Sequence, residues 1–198
     1  MKESYVTTGF RKAIVQRSPA RAAALQSAFN RRLDALLDEN VGASKEKMFH
    51  LEVQILPGIA AYETLQTIMP KEEAVQIIHD IIEQHSREIR KTLDKLMLIP
   101  GLYRLVPNLS GSITRKVFNE AAGFASVEYE TSSRCWRIDM TKCPYNDTCV
   151  HYGCPELCRC FCDSDDVSYD NLHPKLLWHR TKTLGRGNDC CNFCLKIR

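Results

Sequence analysis

The first 134 residues of this 198-residue chain contain no cysteine, although the whole has ten, all of them between Cys135 and Cys194. Also missing is any run of the roughly 18 apolar residues that a bilayer-spanning helix needs. The N-terminal stretch MKESYVTTGFRKAIVQRSPAR has no continuous apolar core of the secretory type. Neither sign of charge forms a long block: 27 basic and 24 acidic side chains leave a formal charge of +3. That balance does not suggest a nucleic-acid binder, and no internal repeat or low-complexity segment is visible. These absences lead to an expected cytoplasmic location, with neither membrane nor nucleic acid as partner. In a reducing compartment, ten cysteines point to thiol chemistry, metal binding or plain burial rather than to disulfides.

What is present fits one compact unit with a proper core. Ser18-Pro19 reads as a helix start, followed by Leu25, Phe29, Leu33, Leu36 and Leu37 at helical spacing up to Asn40 to Gly42. Ser44 opens a second helix, which Pro57-Gly58 breaks or kinks, and Ile59 to Met69 resumes it. Excess apolar surface on Ile55 to Met69 is a candidate face for a homo-oligomer. Pro70 starts the longest helix, with a stripe from Ala74 and Ile77 to Leu93 and Leu96, acidic residues at its start and basic ones near its end. Another helix is expected from Ser112 to Ala122, with Gly123 as its cap.

At Phe124 the period changes from 3.6 to 2. Strands are expected from Phe124 to Thr131, around Trp136 to Met140, from Leu176 to Lys182, and from Cys190 to Ile197. The fold class is therefore α+β. A helical part, residues 1–123, packs on a C-terminal antiparallel sheet of about four strands, residues 124–198, with a Cys-rich insertion bridging two hairpins.

That insertion, Cys143 to Asp166, holds six of the ten cysteines. If Pro155 begins a helix, then Cys154, Cys158, Cys162, Asp165 and Asp166 fall on one face. A thiolate is both nucleophile and metal ligand, and a free thiol of pKa about 8.5 needs a helix N-terminus, a cation or a metal to ionise it at neutral pH. Cys154 and Cys158 lie nearest the helix start, and Asp165 is within one turn of Cys162, the reach a general base requires. The alternative is a tetrahedral metal site in which Cys158 with Cys162, or Cys154 with Cys158, has the helical spacing for two ligands, and Cys191-x2-Cys194 or Cys143 completes the set. Cys135, Cys149 and Cys160 read as small buried side chains. His151, His173 and His179 read as surface or hydrogen-bonded histidines, and Trp136 and Trp178 as core.

Several segments of the last third together resemble the L-2-amino-thiazoline-4-carboxylic acid hydrolase family. They are Met140 to Tyr145 (MTKCPY), Pro155 to Cys158, Phe161 to Asp163 with Asp165-Asp166, Arg180 to Leu184 (RTKTL), Gly187, and Asp189 to Phe193. The helical part agrees in general layout only. The resemblance implies a hydrolase opening a cyclic amidine at its carbon–nitrogen/carbon–sulfur centre, turning 2-amino-thiazoline-4-carboxylate, a small-molecule substrate, into N-carbamoyl-L-cysteine. It implies Cys158, Cys162 and Asp165 as catalytic residues and Arg180 as the anchor of the substrate carboxylate. The cofactor it leaves open is a divalent metal such as zinc on Cys143, Cys158, Cys162 and Cys191. The surplus cysteines keep a second reading alongside, a non-catalytic metal or small-ligand sensor.

Overall fold

The computed structural model describes residues 3–198, the Glu130 side chain apart. Its helical part comprises α1 (Tyr5–Arg17), α2 (Ala22–Glu39), α3 (Lys45–His50), α4 (Leu56–Gln66), α5 (Lys71–Met97) and α6 (Val106–Val117). Helix α1 was not expected. Its buried side chains Val6, Phe10 and Ile14 recur every four residues, and the Ser4 hydroxyl caps it by accepting a bond from the Val6 amide. Ser44 caps α3 as expected, accepting from the Lys47 amide at 3.1 Å. Pro19 begins a 3-10 turn, Pro19–Arg21, that leads into α2.

Pro57 does not break the helix it interrupts. A proline removes one amide donor and its ring crowds the carbonyl four residues back, here that of Val53. Leu51–Ile55 answers by widening into a π-helical turn between α3 and α4. The Val53 carbonyl accepts a bond from the Ser4 hydroxyl at 2.8 Å. Helix α4 is the centre of the helical core, with Leu56, Ile59, Ala60 and Ala61 fully buried. The apolar surface read as a face for a second copy is therefore largely spent inside this chain. Gly58 permits the tight packing: a Cβ there would stand 2.8 Å from Phe161.

The strands are β1 (Ala125–Thr131), β2 (Cys135–Lys142), β3 (Leu176–His179) and β4 (Cys191–Ile197). They form one sheet in the order β1-β2-β4-β3, and every neighbouring pair is antiparallel. Ile138 faces Phe193 and Met140 faces Cys191 across β2 and β4, which places the buried Ile138, Met140 and Cys191 and the half-buried Phe193 on one surface. Strand β3 ends at His179, short of the expected Lys182. The amides of Thr181 and Lys182 donate to the Asn192 side chain, at 2.9 and 2.7 Å, in place of a ladder partner.

Between β2 and β3 the Cys-rich segment forms α7 (Pro144–His151) and α8 (Pro155–Tyr169), and α8 packs along α5. The change at residue 123 thus marks the switch from helix to strand, whereas α8 returns to the helical layer. Two hydrophobic clusters result, one among the helices and one on the sheet, with Tyr145 packed against both. Among the described residues no helix is long and apolar enough to cross a membrane.

Replacing Ser4 by Ala removes both the α1 cap and the partner of the Val53 carbonyl. We expect a loss of about 1–2 kcal/mol, read as a lower midpoint in urea denaturation with an unchanged slope.

Candidate active site

Where the two clusters meet, a cleft of about 400 Å³ opens between the sheet and helices α1, α5, α6 and α8. Cys143, Cys162, Asp165, Arg180 and Cys191 all line it. Cys158 does not: it is fully buried behind Cys162, with the two sulfurs 4.0 Å apart. Cys154 leaves the expected row altogether. As the residue before the first turn of α8 it has a non-helical backbone, and its thiol pairs with Cys149 in the helical core. Gly185 explains part of the RTKTLGRG segment, since a Cβ there would sit 3.0 Å from both the Cys158 and the Cys162 sulfur. The same turn donates the Leu184 amide to the Cys191 sulfur at 3.2 Å.

The polar end of the cleft is built on Arg180, whose side chain is 2% exposed. Its Nη1 donates to Asp165 Oδ2 at 3.0 Å, and its Nη2 donates to Asp166 Oδ2 at 2.5 Å and to the Cys162 carbonyl at 2.8 Å. Asp166 Oδ1 in turn accepts from Trp178 Nε1 at 2.7 Å. Arg180, expected to grip a substrate carboxylate, thus spends both arms of its fork inside the protein. A buried guanidinium requires such partners, and two adjacent carboxylates on the last turns of α8 supply them. Among the described residues nothing donates to Asp165 Oδ1.

Burial pushes the Asp165 carboxyl up to about 6, against the pull of Arg180 and with a further push from Asp166. The carboxyl keeps 39% of its side-chain surface accessible. The cleft that it lines is walled mainly by apolar and aromatic side chains, so this access does not amount to full hydration. Asp165 is consequently a carboxylate poised to exchange a proton near neutrality.

The thiols are poised the other way. Burial pushes Cys143 up to about 12, and Cys162 is pushed up to about 12 by its contact with Cys158 together with burial, against the opposing effect of Cys191. Cys191 is raised by its contact with Cys162 and by burial. Each enters the cleft as a neutral thiol. Among the described residues, the one group of three or more possible ligands whose atoms all lie within 4.8 Å of one another is His79, Asp80 and Glu83, none of which lines the cleft. The sulfurs of Cys143, Cys158, Cys162 and Cys191 do not form such a group, whereas a tetrahedral thiolate site draws its sulfurs to about 4 Å.

Sequence reasoning missed the opposite wall. Tyr5 of α1 and His85 of α5 line the cleft, their rings stacked at 3.6 Å, and Gln54, which accepts from the Tyr145 hydroxyl at 2.9 Å, lines it too. His85 falls on the same helical stripe as Ile78 and Ile82, a spacing that signals core rather than cleft. His151, His173 and His179 do not line the cleft.

Residues 48–195 match the family model described as L-2-amino-thiazoline-4-carboxylic acid hydrolase. The chain belongs to that family. A search of curated proteins finds no match. The α+β fold agrees with the sequence reading, and membership of the hydrolase family adds a meaning to the motifs. Its segments at Met140 to Tyr145, Phe161 to Asp166, Arg180 and Cys191 to Phe193 come from separate elements and meet as walls of one cleft. Tyr5 lies outside the matched region, so in this hydrolase-family chain α1 adds a wall from beyond it.

Exchanging Arg180 for Gln leaves two adjacent carboxylates facing a partly buried site. We expect a loss of about 2–4 kcal/mol at neutral pH. Without the cation, the folded-state pKa of Asp165 rises further above its unfolded value near 4. Such a rise favours folding at acid pH and is lost as pH climbs. The deficit against the parent protein is therefore full at pH 7 and shrinks towards pH 4, as urea melts at several pH values would report.

Proposed function

We propose that this protein hydrolyses 2-amino-thiazoline-4-carboxylate or a close relative to N-carbamoyl-L-cysteine, with Asp165 as general base and acid. The supporting observation is that, among the described residues, Asp165 is the carboxylate in the cleft, with a free oxygen and a proton affinity tuned near neutrality. Family membership supports a hydrolase, and the Asp165 environment supports the proton transfers that ring opening needs.

In the proposed sequence, Asp165 Oδ1 takes a proton from water as the water oxygen bonds to ring carbon C2. The C2–N double-bond electrons move onto nitrogen, which is protonated in the amidinium form of the substrate. The tetrahedral intermediate then collapses and breaks the C2–S bond, and the departing sulfur receives the proton held by Asp165. One water is consumed, the carboxylate is regenerated, and the urea carbonyl forms as the C2 hydroxyl releases to solvent the proton that the amidinium had brought. Arg180 acts as a positioning residue: it fixes Oδ2 so that Oδ1 faces the substrate. A carboxylate near pKa 6 suits both steps, since it is ionised at neutral pH and yet a competent acid once protonated. The neutral thiols Cys143, Cys162 and Cys191 shape the wall next to the sulfur-bearing ring.

Mass-spectrometric detection of N-carbamoyl-L-cysteine from the purified protein and the ring acid is the direct test. Asp165→Asn is expected to lower kcat by about 100-fold or more, and Cys162→Ala by less than about tenfold. Because the base must be ionised, kcat/KM should rise with pH through about 6 and fall away below it. Ring opening abolished by Cys162→Ala but spared by Asp165→Asn would replace water attack by a thiol nucleophile.

A further inference from the structure

The cleft is too large and too apolar for the bare ring acid. At a generous share of about 30 Å³ per non-hydrogen atom, the liquid volume of a water, 2-amino-thiazoline-4-carboxylate fills about 270 Å³. The cleft holds about 400 Å³. Its lining includes Phe118, Phe124, Trp136, Ile138, Ile89 and Ile113, interspersed with Ser86, Ser110 and Thr114. A second hollow of about 190 Å³ shares Phe118, Phe124, Trp136 and Ile138 with it and continues between α6 and β1. Ile89 and Ile113, both in that lining, are 43% and 53% exposed, so part of the apolar lining stands uncovered. Apolar walls of this kind recognise hydrocarbon, and uncovered apolar surface is lost from water when a ligand lies on it.

We propose that the preferred substrate carries an aryl or alkyl substituent on the cyclic amidine, which lies against α6 while the ring sits at Asp165. The inference rests on the function proposed above for the Asp165 end and adds the class of molecule taken there. Ile113 then becomes a specificity-determining residue: it faces the substituent and touches no reacting atom. Trp136 and Phe124 offer flat faces for an aryl group.

The test compares steady-state kinetics of the full chain on the bare ring acid and on its 5-phenyl and 5-hexyl derivatives. The better of the two derivatives should show a kcat/KM at least about tenfold above the bare acid, in line with the discrimination available to apolar pockets. Ile113→Trp, which fills the end of the cleft, should bring that ratio down to about one. Equal or faster turnover of the bare acid overturns the inference and leaves the hydrolase reading standing. A ratio unmoved by Ile113→Trp overturns the placement against α6. If no compound is opened, the hydrolase reading fails. Calorimetric titration then still decides the apolar end: binding of a derivative at least about tenfold tighter than the bare acid supports it, and equal or weaker binding overturns it.

Discussion

The Arg180 guanidinium holds the two halves of the molecule in register at the cleft. It sits just beyond the end of β3 and reaches the last turns of α8, where it takes two carboxylates and a main-chain carbonyl. Trp178, two residues earlier, reaches the same Asp166 from the same side of the strand. A cation with 2% of its side chain exposed is tolerable only while all of those partners remain. The position of α8 against the sheet is therefore fixed by charge as well as by packing.

That arrangement has a chemical consequence. Asp165 and Asp166 divide one positive charge between them, so the pair cannot be fully neutralised by it. Asp166 has both oxygens occupied, while Asp165 keeps one free and faces a cleft with apolar and aromatic walls. Desolvation then outweighs the nearby guanidinium and lifts its proton affinity. The thiols around it are lifted too, and burial lowers the His85 imidazole that also lines the cleft, so among these groups it is the carboxylate whose proton affinity is raised towards neutrality.

Much of this was readable from residue order alone. The presence of α2, α3 and α5 and of four strands follows from apolar period, caps and the change at Phe124, because local pattern and tertiary burial agree there. Helix α1 was not, since Thr7, Thr8 and Gly9 dilute its buried row of Val6, Phe10 and Ile14. The continuous passage through Pro57 depends on Ser4 reaching Val53, a contact that no local rule encodes. At the site, Cys162, Asp165 and Arg180 were legible through their motifs, but Cys154 was misplaced because a cap residue does not share the helical row. The commitment of Arg180 to two aspartates, and the arrival of Tyr5 and His85 at the opposite wall, arise only when distant segments pack.

The account stands on the proton affinity of a single carboxyl. A carbon-13 titration of aspartate-labelled protein, with the Asp165 resonance assigned by its loss in Asp165→Asn, measures it directly. The structure predicts a midpoint near 6. A midpoint at or below the ordinary aspartate value of about 4 would contradict it, since the guanidinium would then have outweighed burial and Asp165 would be a spent counter-ion.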